Sequence, residues 1–357
     1  MWENAAAFGA LIVFAEHRYF GKSVPFGLDV LDHMEFLSTQ QTLVDYAVLI
    51  ETLKKDLRVD VPVIGFGGSY GGMLGTWFRM KYPHIIDGVI AGSAPVVGFL
   101  GDPDHPADTE GFNLSEAYGS LAMGNYPYPT SYIMDGNSEL PGYPMRVACE
   151  PLAETFAEED KQRLIAALRE SVAVYYNNSK SETCFFPAAP VTTTNETLSS
   201  DAEKQAAIAR KGNLWGYLEC SELYMPSGSG GVHDIYPTVP ADQNQDDAEC
   251  FKQWGVHLKP NWAQTEYGGM KALRAASNIV FSNGDFDPWS ATGVLESLSP
   301  SVVTVPVPGG AHHLDLFFTH PLDPPAVTKA RQTELAYVRK WINEFYAYKQ
   351  QFVKAEL

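Results

Sequence analysis

The run G-G-S-Y-G-G at residues 67–72 constrains the fold of this chain more than any other segment. The apolar run Val61–Phe66 before it predicts a buried strand, and Met73–Met80 after it predicts a helix. A serine in G-x-S-x-G between a strand and a helix is typical of a nucleophile elbow, a sharp turn that exposes the hydroxyl. Glycines flank Ser69 because such a turn leaves no room for side chains. The alternative is a chance glycine-rich turn.

Strand and helix patterns alternate towards both ends of the chain. A capping box at Ser38–Gln41 opens a helix that runs to about Arg58, and an amphipathic helix is predicted over Pro325–Tyr348. Further strands are predicted at Ala10–Ala15, Gly88–Gly92, Asn278–Phe281 and Val302–Val305. This alternation indicates an α/β fold with a parallel sheet and crossover helices.

The middle of the chain breaks this alternation. Residues 97–145 are rich in proline, glycine, aspartate and tyrosine. A helix follows at about Glu158–Tyr176, with apolar residues at Leu164, Leu168 and Val172. The sequence therefore predicts three parts, which are a first part of the α/β core at residues 1–96, a largely helical cap insertion at 97–276 and a second part of the core at 277–357.

Charge and composition exclude several classes of function. The net charge is −18 and the pI is near 4.8, so the chain offers no basic surface for nucleic acid. The acidic balance suits an acidic lumen such as a lysosome or vacuole. No apolar run approaches the roughly 18 residues of a membrane span, and the residues after Met1 lack the basic stretch of a signal peptide.

Cysteines and glycosylation sequons are clustered in the middle of the chain. The cysteines form no C-x-x-C pair, which disfavours zinc and thioredoxin-like sites. Together with three N-x-S/T sequons they favour the secretory route. The residues concerned are Cys149, Cys184, Cys220, Cys250, Asn113, Asn177 and Asn195.

A serine nucleophile needs a base and a carboxylate that orients the base. Two later loops supply these residue types, because Asp285 and Asp287 follow the strand at 278–281, and His312 and His313 follow the strand at 302–305. The carboxyl ends of parallel strands meet at one edge of a sheet, where the Ser69 turn is also expected. The order Ser, Asp, His is the order of the triad in α/β-hydrolases.

The residues alone leave some assignments open. His312 and His313 are adjacent, so at most one of them can face Ser69, and Asp285 competes with Asp287 for the orienting role, with loop capping as the alternative. A metal site formed by both histidines and Asp315 is disfavoured because no further ligand cluster accompanies it. The proposed chemistry needs no metal or cofactor. The other histidines are interpreted as surface or packing residues: His17, His33, His84, His105, His233, His257 and His320.

The chain resembles the proline-specific serine exopeptidases of the lysosomal Pro-X carboxypeptidase and dipeptidyl peptidase II family. The resemblance keeps the family's order over nearly the whole chain, at Phe14–Ser23, Gly67–Met73, Arg79–His84, Asn125–Pro129, Cys250–Gly255, Ser277–Trp289 and Gly310–Leu316. It implies an α/β-hydrolase fold with a largely helical cap, and cleavage next to proline at a peptide terminus. Peptides containing proline are then the expected partners, a homodimer is a candidate assembly, and the expected location is lysosomal, vacuolar or secreted.

Matched by position, the resemblance implies roles for individual residues. Ser69 is the expected nucleophile, Asp287 the orienting acid and His312 the base, and the N–H of Tyr70 is one expected oxyanion donor. A proline pocket should be apolar and rigid. Its candidate lining residues are Met73, Met225 and Trp289, and Asp234 is the candidate partner for the ammonium group of an aminodipeptidase substrate.

Three departures from the family pattern accompany this resemblance. The sequence begins after the early strands and a glycine-rich loop, which commonly supplies the second oxyanion N–H in α/β-hydrolases. The segment between Val97 and Asn125 is shorter than usual. The resemblance implies a disulfide between Cys220 and Cys250, whereas the other two cysteines either pair with each other or stay free. Two alternatives to the exopeptidase follow: a catalytically impaired, truncated family member that acts as a remnant or binding module, and an esterase or lipase on the same fold.

Overall fold

A parallel sheet lies at the centre of the computed structural model, which describes residues 1–105, 116–181, 185, 200–201, 204–205, 207–208, 214–231 and 236–355. Among these residues the sheet has four strands in the spatial order β1-β2-β3-β4, with bounds Ile64–Gly68, Gly88–Gly92, Ile279–Gly284 and Val302–Val307. Each neighbouring pair is parallel, so all four carboxyl ends lie at one edge. The predicted α/β fold with a parallel sheet is confirmed.

Eleven α-helices accompany the sheet in the described part of the chain. Numbered α1 to α11 in chain order, they are Trp2–Phe8, Thr39–Leu57, Tyr70–Lys81, Glu116–Met123, Pro144–Cys149, Lys161–Tyr176, Trp215–Ser221, Gln243–Trp254, Trp262–Tyr267, Gly269–Ala275 and Pro325–Ala355. Short 3-10 helices lie at Gly27–Phe36, Glu150–Leu152, Pro288–Thr292 and Leu314–Leu316. None of the described helices is both long enough and apolar enough to cross a membrane.

The two faces of the sheet carry separate hydrophobic cores, because successive residues of a strand point to opposite sides. Val89 and Phe281 belong to the core that contains α3, where the rings of Trp77 and Tyr267 stack with 4.0 Å between centroids. The other core contains Trp341 of α11, which is only 2% exposed. Helices that cover both faces are the usual arrangement around a parallel sheet.

Helix α2 begins at the residue that its capping sequence predicts. The Ser38 hydroxyl accepts a hydrogen bond from the backbone N–H of Gln41 at 3.1 Å. This bond satisfies one of the first-turn N–H groups that have no acceptor inside the helix. The helix ends at Leu57, and Arg58 follows it in the left-handed region with φ 55°.

The strand predicted at Ala10–Ala15 is wrong. The structure leaves this segment outside the sheet, and Leu11, Val13 and Phe14 are 68%, 46% and 62% exposed. Within the described residues β1 pairs only with β2, so no neighbouring strand adjoins this segment. Apolar, β-branched residues satisfy a strand pattern whether or not the tertiary structure offers them a partner.

The helix predicted at about Glu158–Tyr176 is present as α6, but its larger apolar residues are not its buried ones. Leu164 and Leu168 are 37% and 41% exposed, whereas Ala167 and Ser171 are buried. The Ser171 hydroxyl lies 2.8 Å from the hydroxyl of Tyr118 on α4, so α6 meets its neighbour through small residues. A close helix contact favours small side chains and turns the larger ones outward.

The segment between β2 and β3 supplies helices α4 to α10. A disulfide joins Cys220 of α7 to Cys250 of α8. Cys149 is a free and exposed thiol, and Cys184 lies outside the described residues. Whether residues 97–276 form a distinct cap stays a prediction.

A buried carboxyl pair links α11 to the loop after β4. Glu334 is 3% exposed and its pKa is influenced by the nearby Asp315, whose Oδ2 accepts a hydrogen bond from the Ser282 hydroxyl at 2.7 Å. Burial, and then the neighbouring Asp315 carboxylate, raises the pKa of Glu334 well above its usual value. The charge of Arg331 opposes this shift but does not reverse it.

Glu334→Gln is expected to change how stability depends on pH. A carboxyl whose pKa is raised by folding stabilises the native state fully below its unfolded pKa of about 4.3, and this contribution is lost as the pH rises through the raised value. Wild type should therefore lose stability relative to the variant as the pH rises from about 4 through the raised pKa, by about 1.4 kcal/mol for each unit of the shift. Thermal unfolding at several pH values measures this.

Glu344→Gln on the same helix is the matched control. Glu344 is half-exposed and pairs with Lys340 on the surface, so its neutralisation should leave the pH dependence almost unchanged. If the stability of the Glu334→Gln protein differs from that of wild type by the same amount at every pH measured, the predicted linkage is contradicted.

Candidate active site

Ser69 lies at the turn between β1 and α3, with backbone angles of φ 56° and ψ −125°. This positive φ costs about 1–3 kcal/mol for a residue with a side chain. Two hydrogen bonds hold the turn, since Ser69 N donates to Gly92 O at 2.8 Å and Met73 N donates to Ser69 O at 3.0 Å. The turn is so tight that a Cβ on Gly67 would lie 2.1 Å from the oxygen of Gly71. A sharp strand–turn–helix therefore presents this serine.

Tyr70 is the first residue of α3. Its N–H is among the first-turn groups that have no acceptor within the helix, and the helix dipole adds partial positive charge there. An N–H in this position, directly after a serine nucleophile, is suited to stabilise a developing oxyanion. The Tyr70 side chain is anchored separately, with its hydroxyl 3.0 Å from the Nε2 atom of His17.

The two aspartates of the loop after β3 have different surroundings. Asp287 is 2% exposed, and its Oδ1 atom accepts a hydrogen bond from the N–H of Trp289 at 3.1 Å. Asp285 is exposed, and its Oδ1 atom accepts from the N–H of Gly309 at 2.6 Å. Asp285 therefore stabilises the loop after β4, whereas the Oδ2 atom of Asp287 is available to accept a hydrogen bond from a histidine.

His312 is that histidine. Its Nδ1 atom lies 2.9 Å from Asp287 Oδ2, and the two side chains are 2% and 0% exposed. A carboxylate only accepts, so Nδ1 carries the proton, and in the neutral ring Nε2 is left as a proton acceptor. The backbone is fixed as well, because His312 N donates to Met123 O at 3.2 Å and the Tyr126 hydroxyl donates to His312 O at 2.9 Å.

His313 packs against the carboxyl ends of β1 and β2. Its N–H donates to the Ser93 hydroxyl at 2.8 Å, and its Nε2 atom lies 2.9 Å from the hydroxyl of Tyr132. The ring covers Gly68, where a Cβ would lie 2.7 Å from His313 Cδ2. Burial, and then the charge of His312, lowers the pKa of His313 to about 3. This imidazole therefore stays neutral and joins the loop after β4 to the ends of β1 and β2.

These contacts place the His313 ring against Gly68, the residue before Ser69. The hydrogen bonds formed by the described residues include none between Ser69 Oγ and His312. Catalytic hydrogen bonds are often long in the absence of substrate and tighten when it binds. The edge thus gathers a serine hydroxyl on a strained turn, an imidazole of defined tautomer and a buried carboxylate, which together suit acyl transfer.

The candidate substrate residues are only partly placed around this edge. Trp289 Nε1 donates to Met123 Sδ at 3.2 Å, and its ring centroid lies 6.4 Å from that of His312. Met225 is partly buried against the core, and Met73 is 2% exposed inside it. Asp234 lies outside the described residues.

Of the three sequon asparagines, one lies within the described residues. Asn177 is partly buried just after α6, whereas Asn113 and Asn195 lie outside the described residues. In the part of the chain that the structure describes, no group of three His, Cys, Asp or Glu side chains could hold a metal ion.

Several residues of the site carry no motif of their own. Ser93, Tyr126 and Tyr132 hold the two histidines through single hydrogen bonds. The only signal for Tyr126 is its place in the N-Y-P-Y-P run that supports the family resemblance. His17, interpreted from the sequence as a surface or packing residue, instead bonds the residue after Ser69.

Comparison with known proteins agrees with this chemistry. The family model described as serine carboxypeptidase S28 matches residues 1–102 and 108–334. Human lysosomal Pro-X carboxypeptidase is 33% identical over 406 residues, which cover 97% of this chain and 77% of the human protein. The bovine protein of that name is 32% identical over 407 residues, with the same coverage of 97% and 77%. Prolyl carboxy peptidase like protein 5 of Caenorhabditis elegans is 31% identical over 422 residues, covering 96% and 79%.

A match of this extent shows common descent. The serine turn and the buried His–Asp contact agree with the chemistry of a serine peptidase. The chain therefore belongs to the serine carboxypeptidase S28 family and is a serine-type exopeptidase.

Proposed function

We propose that this chain has an α/β-hydrolase fold and cleaves peptide bonds next to proline near a chain terminus, with Ser69 as nucleophile, His312 as base and Asp287 as the orienting acid. The contact of 2.9 Å between His312 Nδ1 and Asp287 Oδ2 carries the proposal, because it is buried and lies at the sheet edge that presents the Ser69 turn. A carboxylate that sets the tautomer of a histidine is what a serine nucleophile requires.

In the proposed reaction, His312 Nε2 takes the proton of Ser69 Oγ while the oxygen attacks the scissile carbonyl carbon. The tetrahedral intermediate collapses when the imidazolium passes this proton to the leaving nitrogen, and the C–N bond breaks to leave an acyl-enzyme. Water then adds to the acyl carbon with the same proton transfers and releases the free acid and Ser69. The Asp287 carboxylate accepts from Nδ1 and stabilises the imidazolium.

The Tyr70 N–H is the proposed first donor of the oxyanion hole. It follows Ser69 directly and opens α3, so both its position and the helix dipole favour a negative charge nearby. Removal of one such donor typically slows turnover by about 100- to 1000-fold. The geometry of the Tyr70 peptide group is therefore a sensitive feature of the site.

Proline recognition is proposed from the relatives and from the chemistry of the ring. The names of the human and bovine relatives describe Pro-X carboxypeptidases. A proline residue offers shape but no N–H, so an apolar and rigid pocket must recognise it. Trp289, beside His312, Met225 and Met73 are the proposed lining residues, and Asp234 is kept as the ammonium partner in the case of N-terminal cleavage.

The cap and the location are also proposals. Residues 97–276 leave the sheet after β2 and return to it at β3, so we place the cap insertion there. The human and bovine Pro-X carboxypeptidases are named lysosomal, and the Cys220–Cys250 disulfide suits an oxidising compartment on the route to a lysosome, a vacuole or the exterior.

Ser69→Ala is expected to lower hydrolysis of a proline-containing peptide by about 10⁴-fold or more, because the acyl-enzyme can no longer form. Product release followed by mass spectrometry measures turnover, and a fluorophosphonate probe should label wild type but not the variant. Ser23→Ala removes an exposed hydroxyl bonded to Glu16 and serves as the control with retained turnover.

The same experiment separates the alternatives. Cleavage of short acyl esters without peptide cleavage would favour an esterase or lipase. Folded wild-type protein that neither turns over nor takes the probe would favour an impaired family member. Undiminished turnover by Ser69→Ala would refute the nucleophile.

Asp287→Asn is expected to lower kcat by about 10⁴-fold, because an amide no longer holds His312 in the productive tautomer. Asp285→Asn is the matched control in the same loop, and it should stay within about tenfold of wild type since Asp285 only caps Gly309. Steady-state kinetics at one pH, with thermal unfolding to verify folding, compares the two variants. Equal losses would contradict the division of roles between these aspartates.

Cleavage is expected at the carboxyl end of peptides, as the relatives' names suggest. An N-acetylated peptide that ends in Pro-Phe should release free phenylalanine, and amidation of its C-terminus should slow this reaction. A dipeptide Xaa-Pro amide with a free N-terminus should be the poorer substrate. The opposite ranking of the two substrates would assign N-terminal dipeptide release instead.

A further inference from the structure

We propose that His17 is a positioning residue for the Ser69 turn, since its imidazole holds the Tyr70 side chain while the Tyr70 N–H faces the reacting centre. This inference rests on the proposed function. His17 Nε2 lies 3.0 Å from the Tyr70 hydroxyl, although the two residues are 53 positions apart. The pair therefore ties the turn to a distant loop.

The other ring nitrogen defines the direction of this hydrogen bond. His17 Nδ1 lies 2.6 Å from the carbonyl oxygen of Arg18, which only accepts, so Nδ1 carries the proton. Burial lowers the pKa of His17. The hydrogen bond to Arg18 O opposes this effect, the charge of Arg18 adds to it, and the charge of Asp45 opposes it. In the neutral ring Nε2 is an acceptor, so the Tyr70 hydroxyl donates to it.

Thr42 does not replace Tyr70 as the donor. Its hydroxyl is also 3.0 Å from His17 Nε2, but it lies 2.9 Å from the carbonyl oxygen of Ser38, to which it donates. A hydroxyl has a single proton to donate. The Tyr70 proton is thus the one that Nε2 accepts, and Thr42 lines the other side of the ring.

His17 is held independently of Tyr70. The neighbouring Arg18 places its Nε and Nη2 atoms each 2.6 Å from the carboxylate of Asp45 on α2. Such a bidentate pair has a defined geometry as well as a favourable energy. The loop that carries His17 is therefore fixed to α2, so it can restrain the tyrosine rather than follow it.

The Tyr70 ring is enclosed on its other side by α7. The ring of Trp215 meets it edge to face, with 4.8 Å between centroids, and the His17 ring lies 5.6 Å away. Burial raises the pKa of the Tyr70 hydroxyl, which stays protonated. Loss of its acceptor would leave a buried hydroxyl to find a new partner by moving the residue.

A movement of Tyr70 bears on turnover more than on substrate binding. Its N–H belongs to the peptide group shared with Ser69, and the oxyanion that this group would stabilise exists only during the reaction. Small misplacements of a positioned group lower the rate even when the chemistry is intact. We therefore expect kcat to change and KM to stay nearly constant.

Two substitutions at position 17 separate the two ring nitrogens. The side-chain amide of Gln can take the place of Nε2 and keep a partner for Tyr70, whereas the amide of Asn can take the place of Nδ1 and keep only the contact with Arg18 O. Steady-state kinetics on a proline-containing peptide, normalised to active sites titrated with a fluorophosphonate, compare His17→Gln with His17→Asn. The normalisation removes any difference in the folded fraction.

His17→Gln is expected to keep kcat within about threefold of wild type, and His17→Asn to lower kcat by about fivefold to tenfold with KM within about twofold. Tyr70→Phe should show a loss of kcat similar to that of His17→Asn. The protein that carries both Tyr70→Phe and His17→Asn should lose no more than either single variant, because both changes remove the same hydrogen bond. Equal kcat in the Gln and Asn variants, additive losses, or a change in KM alone would overturn the positioning role.

Ser69→Ala distinguishes failure of this inference from failure of the proposed function. If that variant still turns over, the proposed nucleophile is wrong, and the inference that rests on it is wrong as well. If that variant is inactive while His17→Asn equals wild type, only the role of His17 is refuted.

Discussion

The backbone of Ser69 has a positive φ that a residue with a side chain adopts only under constraint, and the surrounding structure supplies this constraint. On one side the turn is bonded to the end of β2 through Gly92, and on the other it leads directly into α3 through Met73. The sheet and the helix would both have to move before this turn could relax. The positions of the Ser69 hydroxyl and of the Tyr70 N–H are consequences of this one strained turn.

Residues of the same type have different roles at this edge because their surroundings differ. Asp287 is buried and faces His312, while Asp285 is exposed and caps a neighbouring loop. His312 has a carboxylate at Nδ1, whereas His313 is enclosed among the ends of two strands and the ring of Tyr132. A buried carboxylate can fix the tautomer and stabilise the charged form of one imidazole only, and the other imidazole stays neutral and structural.

Much of the fold was predictable because its signals are local. The serine turn between a strand and a helix, the cap at Ser38 and the bounds of β2 each depend on residues close in sequence. The wrong strand prediction at Ala10–Ala15 and the orientation of α6 both concern burial, which depends on distant neighbours. Leu11 and Phe14 have the composition of a strand but lie beside none, and the apolar stripe of α6 faces outward because a closer contact is made through Ser171.

The sequence by itself determined the residue types and their order, Ser69 before the two aspartates before the two histidines, and the strand ends at which they occur. Parallel strands bring such loops to one edge, so the general location of the site followed from the pattern. The residue pattern left the choice of aspartate and histidine open and only the family resemblance favoured Asp287 and His312, whereas the tertiary structure shows their contact and also that His17 meets Tyr70. The physical reason is that a hydrogen bond requires a few tenths of an ångström of precision between groups up to hundreds of residues apart, which packing sets and local propensity does not.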